Sequence, residues 1–485
     1  MRRLANCCIL TVSVLLLVLS GCSKNFLEPS SDGSPGGLPY RSDISAEIQI
    51  VDQFATEMLS RHYFYQEEIL KDMDRLHYTT CSDPITAVRC LRKSHDKWTA
   101  LYEDITPVIA NENLSNPSIG YHLLYGTYDN APDEYCVLIG YVEENSPAQK
   151  AGLGRGLVIT SVNHQPITED NLSLLENDKS VIVGLGIMDE DMVVHDLKIE
   201  IQLTAAQYKT SPILSCALLT EQHRNIGYLC LTDFTLDCIE DLVSRFKWLK
   251  DSDCSDMVLD LRYSSRGYAL TEQVLASLLA PHEAVKNGAV YQIRKFNPQK
   301  EAENKSSGIS PEVLFQTRFD YLDESGQSHS VNIEDSALGL NRLYVLTSEE
   351  TAGCAEALIA SLKSYMNVTV IGKNTSGVYL SGIIIEASLS NPYQSLGKWG
   401  LHVMTAATAN KDGLMRLGPE GIKEDAEREE SPQDGIALGN PEERMLRYAL
   451  GLITGKISLT KSESAPSSAL HKVQKREHSG YRLLN

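Results

Sequence analysis

What this 485-residue chain lacks narrows its chemistry before any motif is read. It contains no C-x-x-C, no G-x-S-x-G and no H-E-x-x-H. The first absence, with no Cys/His cluster at zinc spacing, argues against a bound metal. The other two remove the hydrolase nucleophile elbow and the zinc-protease helix. Clustered basic charge is also missing: 44 Lys and Arg stand against 64 Asp and Glu, a formal charge of −20. A nucleic-acid backbone, which is bound by releasing counterions to grouped cations, is therefore excluded as a partner. "GLGRG" at 152–156 superficially suggests a phosphate loop, but a nucleotide loop needs a strand before it and a long helix after it. No cofactor is expected.

Long apolar runs are scarce as well. The main one, "CILTVSVLLLVL", is too short to span a bilayer comfortably and follows Arg2 and Arg3, the pattern of a signal peptide over residues 1–21. It ends in Leu19-Ser20-Gly21-Cys22, which resembles the lipobox of bacterial lipoproteins. That resemblance implies acylation of Cys22 and a membrane-anchored protein of the bacterial cell envelope, facing the periplasm or the cell surface. Residues 22–44, rich in Ser, Gly and Pro, read as a flexible tether. Cys81 and Cys90 are close enough in sequence to pair in an oxidising compartment.

The remainder is ordinary globular sequence, 42% hydrophobic and 22% charged, enough for two or three domains. Val51, Phe54, Ala55, Met58 and Leu59 repeat at helical spacing, and "PITAVRCLRKSHDKWTALYED" reads as a second helical stretch. Residues 45–110 are expected to form a helical N-terminal domain. From 117 to 206 short strands such as "YCVLIGYV" and "DLKIEIQL" alternate with glycine-bearing turns. Between them, Ser146 suits an N-cap, Pro147 the first helical position, Gln149 a reach back across the cap, and Gly152 the stop.

This segment, "SPAQKAGLGRGLVI", resembles the helix and following strand of a PDZ domain, with Leu157 where the family usually has Asp. The resemblance implies that Ser118, Ile119, Gly120 and Tyr121 form the loop that binds a peptide's terminal carboxylate, while the peptide adds a strand to the sheet edge. Peptide or protein C-termini are the partners it implies.

From 212 to 455 strands and helices alternate, the pattern of an α/β layer with parallel strand pairs. Three stretches of it, "IGYLCLTDF" with "MVLDLRYSSRGY", "RLYVLTSEETAGCAEALIASLK" and "VIGKNTSGVYLSG", resemble the C-terminal processing peptidases, or tail-specific proteases. The implied fold class is multidomain α+β: a helical N-terminal domain, a PDZ-like β domain, and an α/β core of tail-specific-protease type. Residues 456–485 read as a mobile polar tail.

In that family a serine in T-A-S-A-x-E attacks the peptide bond and a lysine in I-G-x-x-T-x-G-K is its base. Here Glu356 places Gly353 at the nucleophile position, and Val378 occupies the base position. An accessory glutamine position falls on Gly382, and Arg266-Gly267 stand in the oxyanion region where the family keeps paired glycines. Serine and base act as a unit, so loss of both predicts a pseudopeptidase that binds peptides without cutting them. The alternative is an active peptidase using Cys354, beside the lost serine, although one residue along a helix is a rotation of about 100° away. Lys373 is a candidate substitute base that reads better as a solvated strand-end residue, Ser348 and Ser376 read as turn serines, and a structural role in a lipoprotein assembly is a third possibility.

Overall fold

The computed structural model describes residues 45–76, 83–112, 117–128, 131–177, 179–323, 325–459, 470–472 and 482–484. The expected signal peptide, the tether, Cys22 and Cys81 lie outside them. Among the described residues no helix is long and apolar enough to cross a membrane. The chain divides into two compact units.

The first unit takes the chain up to Thr106 together with 296–303 and 383–405. Its helix α1, Ala46–His62, starts at Ser45, whose side chain accepts the Ile48 N–H at 3.2 Å, and it buries Val51, Phe54, Ala55, Met58 and Leu59. These are the residues whose spacing predicts the helix. Asp52 is buried on the same helix, and neither carboxylate oxygen has a hydrogen-bond partner among the described residues. Helices α2, Gln66–Leu76, and α3, Pro84–Leu91, follow.

The long second helix read from the sequence is not formed. Arg92 turns extended after α3, buried Asp96 accepts the N–H groups of Trp98 and Thr99 at 3.0 Å each, and Ala100–Tyr102 becomes a strand antiparallel to 400–402. A side chain that competes for backbone N–H groups favours a turn over helix. The domain expected at 45–110 is also not built from that span alone. Phe64 N–H donates to Met404 O at 2.8 Å, and Asn297 Nδ2 donates to the carbonyls of Arg61 and Tyr63 at 3.1 and 3.0 Å, so later segments complete it.

The second unit comprises 107–295, 304–382 and the chain from 406 onward. Its N-terminal part is a β domain of strands β1, Tyr121–Tyr128; β2, Ala131–Val142; β3, Val158–Val162; β4, Ser180–Met188; and β5, Val194–Thr204. They pair in the order β1-β2-β3-β4-β5. Val137 and Ile139 on β2 and Val181, Val183 and Leu185 on β4 alternate with period two and pack into one core with Ala148. The short helix α4, Pro147–Lys150, has the expected caps: Ser146 Oγ accepts Gln149 N–H at 3.0 Å. Gln149 reaches back one residue further than a capping box requires, to Asn145 N–H at 2.8 Å.

The core follows as β6, Ile213–Glu221; β7, Arg224–Leu231; β8, Asp233–Phe234; α5, Ile239–Asp251; β9, Asp256–Asp260; β10, Arg266–Tyr268; α6, Ala269–Leu279; β11, Arg342–Thr347; α7, Cys354–Leu362; β12, Asn367–Gly372; β13, Leu380–Glu386; β14, Ala426–Glu427; and α8, Arg444–Thr454. One sheet has the order β14-β12-β11-β9-β7-β6. Its pairs are parallel except β6 with β7. Every residue of α7 is buried, as an all-round apolar helix must be. On α8, Leu446, Ala449, Leu450 and Ile453 pack against Ile226, Tyr228, Val258 and Ile371. That helix starts at Arg444 with Glu443 as its cap.

Of the tail expected at 456–485, only 456–459, 470–472 and 482–484 are among the described residues. Residues 470–472 form β15, antiparallel to β1 at Gly126–Tyr128, and residues 482–484 form β16. Strand β16 lies between β10 and β13 and is parallel to both. Edges of β1, β10 and β13 offer unpaired backbone N–H and C=O groups, and a short extended segment satisfies them whatever its composition.

Candidate functional site

The strand β11 ends at Thr347, and a tight turn over 348–352 delivers the chain to the N-terminus of α7. Ser348 Oγ donates to Arg262 O and accepts the Glu350 N–H at 3.0 Å, while Thr351 Oγ1 donates to Leu261 O at 2.8 Å. Ala352 N–H donates to Ser264 O at 2.9 Å. The turn is thereby fastened to the D-L-R segment that follows β9. Ser348 is a turn serine, as expected.

Gly353 stands at the head of α7 with φ 57° and ψ −116°. An L side chain is strained there by about 1–3 kcal/mol, which glycine avoids. From the first turn of the helix, fully buried Glu356 reaches back. Its Oε2 accepts the N–H groups of Gly353 at 3.1 Å and Val378 at 2.8 Å, and its Oε1 accepts Gly377 N–H at 2.7 Å and the Thr375 hydroxyl. Burial raises its carboxyl to about 7, against four donors that favour the charged form. The structure therefore brings Gly353 and Val378 together, and it does so through a residue that the sequence reading used only as an alignment marker. Thr375 and Gly377, at fixed spacing before Val378, were the available signal.

Val378 is fully buried. Cys354 is also fully buried; its Sγ donates to Gly267 O at 3.3 Å, and burial holds the thiol well above its ordinary range. A thiol so placed is not a nucleophile. Lys373 points to Glu427 and Glu429 at 2.7 and 2.8 Å; burial opposes its charge but these carboxylates win and keep it protonated. It offers no base.

In the region read as the oxyanion region, Arg266 stands on β10. Its guanidinium turns to Asp233 on neighbouring β8 at 2.8 Å. Gly267 has φ 132°, and a Cβ there would sit 2.5 Å from the Cβ and carbonyl oxygen of Phe234. Only glycine permits that approach. Gly382, on β13, is paired with Leu484 of β16.

Behind this surface lies a buried charge network. Arg262 binds Asp260 through Nε and Nη2 at 3.0 and 2.6 Å and Glu443 through Nη1 at 2.9 Å, and Tyr228 donates to Asp260 at 2.6 Å. Burial penalises the Asp260 charge, but the Arg262 guanidinium holds that carboxyl below its usual range. From the β domain Arg155, within "GLGRG", donates to Gly140 O at 2.5 Å and to Tyr263 Oη at 2.6 Å, and Tyr263 donates to Glu430. This ties the β domain to the core. Neither link was legible in the sequence, because the partners are 108 and 167 residues apart.

Of the four residues expected to line a carboxylate loop, Ser118 exchanges two backbone bonds with Ala206 at 3.0 Å each, and Ile119 O accepts Ala148 N–H at 3.0 Å. Gly120 N–H donates to Ser118 Oγ at 3.0 Å. Tyr121 begins β1 and donates its hydroxyl to Leu175 O at 2.7 Å. The loop is folded as a tight turn in which the Gly120 donor is engaged internally.

The sequence model of Peptidase family S41 matches residues 225–428. No curated protein matches the chain. Among solved structures, a candidate S41 protease from Bacteroides fragilis NCTC 9343 is similar at 22% identity with a TM-score of 0.64, covering 87% of this chain and 100% of its own. The photosystem II D1 C-terminal processing protease is 18% identical with a TM-score of 0.47, covering 80% of this chain and 94% of its own. The first of these is a likeness of fold. The ordered strands, the turn at Gly353 and the loop at Val378 all lie inside residues 225–428, the span that matches the model of Peptidase family S41.

Proposed function

We propose that this chain is a peptidase-derived protein that binds extended peptides, C-terminal or unfolded, and does not cleave them. One observation carries the reading: Glu356 joins Gly353 to Val378 as a working site would require, yet one position has no side chain and the other has a hydrocarbon. The nearby substitutes, Cys354 and Lys373, are respectively buried and ion-paired. Acyl transfer needs an attacking atom and an acceptor for its proton, and their loss costs on the order of 10⁶ in turnover for comparable units.

The β domain is read here as PDZ-like. Support comes from the capped helix at 147–150 and from the edge of β1, which takes up a strand, residues 470–472. The protein is further read as a lipoprotein anchored through Cys22 on the bacterial cell envelope, on the strength of its first 22 residues. Titration with fluorescent peptides bearing free or amidated C-termini tests the binding mode: a preference for the free carboxylate supports it, and equal affinity removes carboxylate capture. Hydrolysis of casein by the purified chain, lost on a single substitution in the cleft, would overturn the pseudopeptidase reading.

A further inference from the structure

Strand β16 is an interior strand. Its residues 482–484 run parallel to Arg266–Tyr268 on one side, and 483–484 run parallel to Ser381–Gly382 on the other. Adjacent strands stand about 4.8 Å apart, so β10 and β13 are separated by about 9.6 Å, the width of one inserted chain. The two flanking strands carry Gly267 of the oxyanion region and Gly382 of the accessory position, and β13 begins two residues after Val378. The seat therefore lies between the two strands that carry these positions. Its occupant is a segment of the same polypeptide.

The same segment makes a second contact. Lys472 pairs with Gly126 and Leu470 with Tyr128, so successive residues of β15 advance along β1 toward the turn at 118–121. This is the polarity in which a peptide augments a PDZ-type edge. Nine residues, ten Cα-to-Cα steps, separate 472 from 482, a reach of at most about 35 Å when extended.

We propose that residues 470–472 and 482–484 are built-in ligand strands, and that the slot between β10 and β13 is a binding site for one extended peptide strand, held by backbone pairing and occupied in cis by residues 482–484. The class of ligand rests on the peptide-binding reading above; the seat rests on strand register alone. Tethering raises the local concentration of the cis strand to roughly the millimolar range, so an external peptide must compete against it. An external strand gains access by displacing this one. The chain is thus self-capped, and partners are selected by whether they outcompete 482–484.

The test uses the full chain, a variant lacking residues 482–485, and L483P, which removes one backbone donor without shortening the chain. Thermal melting confirms that each variant is folded, and L483P serves if the deletion does not fold. Hydrogen exchange should show protected amides at 483–484 in the full chain, and faster exchange confined to 266–268 and 381–384 in the variants. A fluorescent peptide with the sequence of residues 475–485, KREHSGYRLLN, should bind the variants at least tenfold more tightly than the full chain. Unprotected amides at 483–484 overturn the proposal and leave the peptide-binding reading untouched. Equal affinity for full chain and variants, or no binding of this peptide to folded variants, also overturns it. Failure of the binding reading shows separately, as absence of affinity for any peptide in the free and amidated series.

Discussion

The backbone N–H groups of Gly353 and Val378 share one acceptor, Oε2 of Glu356, at 3.1 and 2.8 Å. The two positions that would hold nucleophile and base are thus pinned by a structural side chain whose role does not depend on chemistry. On the proposed reading, the clamp stays intact without the reactive groups.

Placing a serine at 353 tests that statement. With φ 57° and ψ −116°, G353S and G353A should each lower unfolding free energy by about 1–3 kcal/mol in urea titrations. G353S should gain no peptide hydrolysis, since Val378 cannot take its proton. Turnover restored by G353S alone would show a base that the geometry does not contain.

The clamp is itself testable. In E356Q the amide nitrogen must face N–H donors instead of accepting from them, leaving at least one buried donor orphaned. A loss on the order of 2–5 kcal/mol is expected, with faster hydrogen exchange at 375–378. Unchanged stability would mean that Glu356 does not hold the loop.

Two carboxyls in apolar surroundings predict a pH dependence. Both Asp52 and Glu272 are pushed by burial up to about 7, and each has at least one oxygen without a partner among the described residues. The folded state then binds the proton more tightly than the unfolded state. Their contribution is fully present below the unfolded pKa and falls as pH rises toward 7. D52N, which cannot ionise, should gain on the parent by on the order of 4 kcal/mol at most between pH 4 and pH 7. A parallel pair of stability curves would refute the assignment.

Arg155 links the β domain to Tyr263 and Glu430 in the core. Removing it takes one guanidinium from buried Glu430, which keeps the Tyr263 hydroxyl and Arg262 at 3.8 Å, so R155A should cost about 1–3 kcal/mol and raise hydrogen exchange around 139–141 and 428–431. A surface-like effect below about 0.5 kcal/mol would show that the contact is incidental.

Cys354 should resist iodoacetamide in the native protein and react after unfolding, read by mass spectrometry. Burial and its bond to Gly267 O give it neither access nor thiolate character. Modification within minutes under native conditions would reopen the cysteine-peptidase alternative.

Local grammar was readable in the sequence wherever a few neighbouring residues suffice. The apolar repeat of α1, the capped turn at Ser146 and the alternation from β7 to β12 are all of this kind. A short motif likewise picks out Gly353 and Val378, and the structure shows that both donate to Glu356. Long-range partnerships were not readable. Asn297 closing the end of α1, Arg155 meeting Tyr263, and 482–484 entering between β10 and β13 join residues more than 100 positions apart. The strands at 470–472 and 482–484 leave no mark in composition, because backbone pairing takes any sequence that an edge can accept.

Arg262 has one counter-ion two residues away and another 181 residues further on, at the cap of α8. On a ribosome the strand end is made long before Glu443 exists, so its guanidinium must wait in water or remain half-neutralised. Closure of this layer is therefore a late event of synthesis, and a chain cut short before residue 443 would leave an open, sticky sheet that invites quality control.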